Sequence, residues 1–212
     1  MVGAGQGTRF GGLKQLELIE GVRVVDLSIQ SAYSISDGVT FVAPPDRLAD
    51  FSGVADCVVA GGASRSESVR LGLDTVAESV DFVLIHDAAR PLATHSLYRK
   101  VVLSLQNGAQ AVVPLISVVD SLKRVNEDGK VESVNRDRLF QAQTPQGFTQ
   151  KCIRLIAQSN LETTDEVGAA EILGVDVNFV DGDYANIKIT SPQDLDVVRV
   201  LAKRIARGEA NG

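Results

Sequence analysis

Phe82-Val83-Leu84-Ile85-His86-Asp87-Ala88-Ala89-Arg90-Pro91 is a short apolar run that stops on a histidine and an acid. Consecutive apolar residues without polar alternation read as a strand covered on both faces, the kind found in parallel sheets. Val39-Thr40-Phe41-Val42-Ala43, ended by Pro44-Pro45, reads the same way. Between the two, Val69, Leu73, Val76, Ala77 and Val80 recur at intervals of three and four, which predicts a helix with one apolar face starting near Ser64. Strand, helix and strand in that order predict an α/β fold with a mostly parallel sheet flanked by helices. Such sheets bind ligands beyond the carboxyl ends of their strands, so the polar residues after each run are the candidates for function.

Working outward, Ala111-Val112-Val113-Pro114 and 175–180 supply further strands, and 97–105 and 165–173 further helices. The last helix has a capping residue in Ser191, a proline in its first turn and Asp194 to complement its dipole. Its stripe is Leu195, Val198, Leu201, Ala202 and Ile205. The exception to the alternation is 121–135. There Leu122-Lys123-Arg124-Val125 and 130–134 flank Asp128-Gly129, a strong hairpin signal. This β-arm is polar on much of both faces; it reads either as a solvated hairpin or as an arm that embraces a second subunit. Residues 1–212 are otherwise expected to form one domain.

With 44% hydrophobic residues, the 212-residue chain has enough apolar material for a well-buried core. Its net charge of −6 excludes the basic footprint of a duplex nucleic-acid or membrane-surface binder, so any anion must be held by a local cluster of cations. No apolar run is long enough to span a bilayer and no charged-then-apolar leader opens the chain, which predicts a cytoplasmic protein. Cys57 and Cys152 lack metal-ligand spacing and read as buried free thiols, and two histidines are too few for a histidine-based metal site.

One cation cluster lies in Gly3-Ala4-Gly5-Gln6-Gly7-Thr8-Arg9-Phe10-Gly11-Gly12-Leu13-Lys14. Glycines let backbone N–H groups close around an anion, and Arg9 and Lys14 add charge, so the loop reads as a phosphate cradle. It is not a Walker loop, because Leu13-Lys14 follows Gly12 where Lys-Ser/Thr is required, and it lacks the third glycine of the dinucleotide fingerprint. A second glycine pair, Gly61-Gly62-Ala63-Ser64, enters a helix; small residues there admit a flat ring and Ser68 offers a hydroxyl to its polar edge. Asp87 suits a divalent ion held by one carboxylate beside nucleotide phosphates, and Arg90 could grip a phosphate. His86 reads as a packed, neutral imidazole.

Taken in order, these stretches carry a resemblance. The glycine loop with Lys14-Gln15, Gly61-Gly62 with Arg65 and Ser68-Val69, and 86–91 come first. Asp120-Ser121-Leu122-Lys123, Gln143-Thr144-Pro145-Gln146 with Phe148, Thr164-Asp165-Glu166 and Asn186-Ile187-Lys188-Ile189-Thr190 follow, with Pro192 and Asp194-Leu195. The set resembles the 2-C-methyl-D-erythritol 4-phosphate cytidylyltransferase family over nearly the whole chain. The resemblance implies a Rossmann-like nucleotidyltransferase fold, a homodimer joined by the β-arm, and a Mg2+-dependent reaction of CTP with a sugar-alcohol phosphate that yields a CDP-alcohol and pyrophosphate. It implies that Gly3, Ala4, Gly62, Ala63 and Ser68 read cytosine, and that Gly5, Gly7, Arg9 and Lys14 hold the triphosphate. It further implies that Asp87 positions magnesium and that Lys188 contacts the α-phosphate. Arg90, Asp120, Ser121 and Lys123 would lie at the acceptor, and Arg136 would reach the acceptor phosphate from the neighbouring subunit.

The chain departs from that family in places. Only Met1 and Val2 precede Gly3, where the family has a buried strand, so exposed strand edges and a loosened glycine loop are expected. The loop is short between Arg9 and Lys14, and Leu13 and Ala63 replace a proline and a polar residue. A ribitol 5-phosphate cytidylyltransferase and a nucleotide-binding scaffold without turnover remain the alternatives; a nicotinamide dehydrogenase is disfavoured by the failed fingerprint.

Overall fold

The computed structural model describes residues 1–5, 7 and 10–207; Arg9 of the expected phosphate cradle lies outside the described residues. After a 3-10 turn at Lys14–Leu16, β1 (Leu18–Ile19) and β2 (Val22–Arg23) form a minimal hairpin that leads into α1 (Val24–Tyr33). Then come β3 (Thr40–Ala43), a 3-10 stretch at Pro45–Phe51, β4 (Cys57–Ala60), α2 (Arg65–Leu73), β5 (Phe82–Ile85), α3 (His95–Gln106) and β6 (Ala111–Ser117). The arm is β7 (Leu122–Val125) and β8 (Val131–Val134), followed by β9 (Phe140–Ala142), β10 (Gln146–Thr149), α4 (Gln150–Gln158), α5 (Glu166–Ile172), β11 (Val177–Asp181) and α6 (Pro192–Ala206).

The α/β class and the flanking helices are as the sequence predicts, and the sheet is mixed. Strand β3 runs parallel to β4 and β11 parallel to β6, but β10 lies antiparallel between β5 and β6. The chain leaves along β6, makes the arm, and returns through β9, antiparallel to the far end of β6, so the strand that follows must run against its neighbours. Gln146-Gly147-Phe148-Thr149 is too short and polar to announce itself as that strand.

Alternate residues of each strand face opposite layers. Val83 and Ile85 of β5, with Ala111 and Val113 of β6 and Phe148 of β10, pack under α2, α4 and α5. Phe82, Leu84 and Val112 face Val101 and Leu105 of α3 on the other side, and Phe41 and Ala43 of β3 pack with Val25 and Ile29 of α1. Helix α2 ends at Leu73, earlier than its apolar spacing suggests, because Thr75 turns its hydroxyl back to the Gly72 carbonyl at 2.8 Å; Val76 and Val80 reach the same core from the following turn. Thr94 and Ser191 cap α3 and α6, the latter in a capping box with Asp194. Among the described residues no helix is long and apolar enough to cross a membrane.

Val2 joins the β3–β4 pair to the rest of the sheet, bridging Val42 on one side and Asp87 on the other in parallel. Its N–H donates to the His86 carbonyl at 2.7 Å, its carbonyl accepts from Ala88, and Gly3 donates to Val42 at 2.9 Å. The entry to the glycine loop is therefore held on both sides, while the loosening expected of the loop falls in part on residues 6, 8 and 9, outside the described residues. Behind Val2, β3 and β5 flank a slot of about 610 Å³ lined by Val42, Leu73, Val83 and Tyr98 together with polar Asp37, Thr40 and Asp81. Met1 also lines it, its nitrogen donating to the Thr40 carbonyl at 2.8 Å.

Candidate active site

A cleft of about 770 Å³ opens beyond the carboxyl ends of β3, β4 and β5, where open α/β sheets bind their ligands. Gly3, Ala4, Gly5 and Gly7 form one wall with Lys14, Gly61 through Ser64 and Ser68 the opposite one, and Asp87 and Lys188 line the mouth. The buried Gln15 braces the glycine wall from below, its Nε2 donating to the Gly3 carbonyl at 2.5 Å. Gly61 is required by contact: a Cβ there would lie 2.2 Å from the Ala4 Cβ and 2.9 Å from Ser68 Oγ, so any side chain would push the two walls apart. The Ser68 hydroxyl accepts from the Gly62 N–H at 3.1 Å and donates to the Ser64 carbonyl at 2.8 Å, tying the loop to α2. The Ala63 N–H is engaged by Glu67 Oε2 at 2.6 Å.

Asp87 is the electrostatic centre. Lys188 Nζ lies 2.8 Å from Oδ2, Arg90 Nε 3.5 Å from the same oxygen, and Arg65 Nη2 3.8 Å from Oδ1. Burial alone would raise its pKa, but Lys188, Arg65 and Arg90 outweigh burial and hold it at about 2. The carboxylate is therefore ionised throughout the physiological range. The segment carrying Lys188 is fixed by the Ile189 N–H, which donates to the Ala89 carbonyl at 2.8 Å, and by the fully buried Ile189 side chain.

The Asp87 backbone is fixed from behind. Its N–H donates to Thr144 Oγ1 at 3.0 Å; that hydroxyl donates to His86 Nδ1 at 3.0 Å, and His86 Nε2 donates to the Arg90 carbonyl at 3.2 Å. These partners assign the neutral tautomer with Nε2 protonated, and burial lowers the His86 pKa to about 4. The packed imidazole expected from the sequence is present. Because the folded value lies below the unfolded 6.5, the unfolded chain binds the extra proton between those limits. Stability from this group is then complete above pH 6.5 and declines as pH falls toward 4, by about 3 kcal/mol in all. His86→Asn should flatten that part of the profile, read from urea midpoints at neutral pH and near pH 4.5. An unchanged slope would remove His86 as its source.

Arg90 is buried away from the cleft, donating from Nη1 to the Asn186 carbonyl at 2.7 Å; it pins the 186–188 segment and is not poised to grip a free phosphate. Asp120, Ser121, Lys123 and Arg136 are exposed on or beside the arm and do not line this chain's own cleft. Lys123 donates to Ser133 Oγ at 2.7 Å and Arg136 to the Val119 carbonyl. Around them Val119, Val125 and Val131 are about two-thirds exposed, an apolar surface the arm's own hairpin does not cover.

Among the described residues no group of three or more His, Cys, Asp or Glu side chains is arranged to hold a metal. A single ionised carboxylate at the mouth of an anion cleft still fits magnesium, which keeps several waters and binds through one or two carboxylates together with substrate phosphates. Asp87 supplies that donor. Sequence reasoning assigned no role to Gln15, Arg65, Thr144 or Glu166, although all stand in the stretches quoted for the resemblance.

A family model described as 2-C-methyl-D-erythritol 4-phosphate cytidylyltransferase matches residues 1–204. The chain is 37% identical over 212 aligned positions to the 2-C-methyl-D-erythritol 4-phosphate cytidylyltransferase of Frankia casuarinae, covering 95% of this chain and 79% of that one. It is 34% identical to the bifunctional enzyme IspD/IspF of Nitratidesulfovibrio vulgaris, where 92% of this chain spans only 55% of the relative. The crystal structure of the Thermus thermophilus 2-C-methyl-D-erythritol 4-phosphate cytidylyltransferase superposes with a TM-score of 0.83 at 28% identity, covering 95% of this chain and 97% of that one.

Proposed function

The chain belongs to the 2-C-methyl-D-erythritol 4-phosphate cytidylyltransferase family, and on that premise we propose that it transfers CMP from CTP to 2-C-methyl-D-erythritol 4-phosphate in the cytoplasm, releasing pyrophosphate. The observation that carries the reading is the ionised Asp87, 2.8 Å from Lys188, at the mouth of a cleft walled by two glycine loops.

Cytosine sits against Gly3-Ala4 and Gly62-Ala63, where small residues admit a flat ring and Ser68 ties the loop that faces it to α2. The triphosphate extends along Gly5 and Gly7 toward Lys14; Arg9 is a further cation for it by family resemblance alone. No covalent nucleophile is needed: an oxygen of the acceptor phosphate attacks the α-phosphorus of CTP, the new P–O bond forms as the bond to pyrophosphate breaks, and the protein's task is alignment and charge neutralisation. Lys188, steered by Asp87, places its ammonium at the α-phosphate as negative charge accumulates there. A magnesium ion, when bound at Asp87, supplies further neutralisation of the triphosphate. Arg90 acts indirectly, holding the 186–188 segment from which Lys188 projects.

The acceptor site is completed in a homodimer. Asp120, Ser121, Lys123 and Arg136 stand outside this chain's own cleft, and the arm's exposed Val125 and Val131 give it an apolar surface for a second copy to cover. The test is magnesium-dependent pyrophosphate release from CTP with methylerythritol phosphate and, in parallel, ribitol 5-phosphate. Release with the first alone is expected. Release with ribitol 5-phosphate alone would overturn the acceptor assignment, and CTP binding without release from either would overturn turnover itself.

A further inference from the structure

Arg65, at the start of α2, and Thr164-Asp165-Glu166 have no part in the reaction as proposed. The fold joins them to each other and to Asp87. Arg65 Nη1 donates to both oxygens of Glu166, at 2.6 and 2.7 Å, while its Nη2 stops 3.8 Å from Asp87 Oδ1, beyond hydrogen-bond reach. We propose that Glu166 is a positioning residue that withholds the Arg65 guanidinium from Asp87, leaving Asp87 Oδ1 available to a divalent cation. The inference rests on Asp87 being the cation's ligand.

Each side of the arrangement has a physical cause. Arg65 is the first residue of α2, directly after its Ser64 cap, where the positive end of the helix dipole repels a cation. An untethered guanidinium there would turn to the nearest carboxylate. Glu166 is the first residue of α5, where that dipole favours an anion, and its side chain is 4% exposed. The backbone beneath it is rigid: Asp165 Oδ1 caps Gly168 at 3.0 Å, Asp165 Oδ2 accepts from Gln146 Nε2 at 2.7 Å, and the Val167 N–H donates to Gln146 Oε1. Asp87 has Lys188 and Arg90 as well as Arg65, whereas Arg65 is the one cation paired to Glu166 among the described ion pairs. A buried carboxylate with a single cation loses far more by giving it up than one with three. The guanidinium therefore stays with Glu166, and Asp87 keeps one oxygen outside its ion pairs at hydrogen-bond distance.

Mn2+ binding, followed by water-proton relaxation with CTP present, reads this directly and does not depend on turnover. Glu166→Gln should weaken Mn2+ binding about tenfold, because the released guanidinium pairs with Asp87. The charge-neutral double replacement Arg65→Met with Glu166→Gln should restore binding to within about twofold of the wild type, since neither member of the pair is left unpartnered. Should the single variant fail to fold, Glu166→Asp, which retracts the carboxylate, should weaken binding in the same direction. Unchanged Mn2+ affinity in the single variants, or a double variant as weak as Glu166→Gln, would overturn the proposal. Asp87→Asn tests the premise separately: wild-type Mn2+ affinity in that variant would remove Asp87 as the ligand whatever Glu166 does.

Discussion

Lys188→Ala should lower the rate of pyrophosphate release by about a hundred- to a thousandfold while leaving the protein folded. The loss is large because Lys188 is the side chain that both lines the cleft and contacts Asp87 at 2.8 Å, so its ammonium is aimed before substrate arrives. A preorganised cation acts on charge that develops only in the transition state, so the deficit should appear in kcat more than in the KM for CTP. Stability should change by less than about 1 kcal/mol, because the side chain is 39% exposed and a solvated ion pair contributes little. Asp87 also retains Arg65 and Arg90 nearby. Single-turnover kinetics paired with a thermal melt separate the two effects. A near-normal rate would remove Lys188 from the chemistry, and a collapsed melt would make it a structural residue.

Much of the fold was legible because hydrophobic period and capping residues are local signals. Phe82 to Ile85, the Ser191 cap with its proline, and Asp128-Gly129 each announce an element within a few residues. Elements set by tertiary context were not. Strand β10 is a strand because the arm returns the chain between β5 and β6, and nothing in Gln146-Gly147-Phe148-Thr149 alone says so. Likewise Val2 bridges Val42 of β3 and Asp87 just beyond β5, because strand edges on both sides offer donors and acceptors in register.

The site divides along the same line. The glycine loops, Lys14, Asp87 and Lys188 were marked by composition and by resemblance, and they meet in one cleft. Arg65 and Glu166 meet across 101 positions, a separation over which no periodicity speaks. Arg90 sits in the same short stretch as Asp87, yet its guanidinium turns inward to Asn186, an orientation that only packing decides.

Asp87→Asn should cost both activity and stability, and the two losses have one origin. The buried carboxylate lies among Lys188, Arg65 and Arg90, and only strong stabilisation of its charged form brings its pKa to about 2 against the pull of burial. Asparagine keeps the shape and removes the charge. Arg90, whose side chain is 11% exposed, is then left without its anion, and breaking a buried pair from one side typically costs about 3–5 kcal/mol, whereas the more solvated Lys188 adds little. Glu166 still neutralises Arg65, which places the loss toward the lower end of that range. Linkage supplies an independent check. The folded value lies below the unfolded 3.8, so the Asp87 contribution is complete above pH 3.8 and declines as pH falls through about 2, by roughly 2–3 kcal/mol. The variant should lack that component of acid unfolding, so its melting temperature converges with that of the wild type at the acid end. Turnover should fall by about a thousandfold or more, because Lys188 loses the group that aims it and the cleft loses its candidate cation ligand together. A variant as stable as the wild type at neutral pH would mean that the cations are satisfied by solvent, and Asp87 would then be a surface acid rather than the centre of the site.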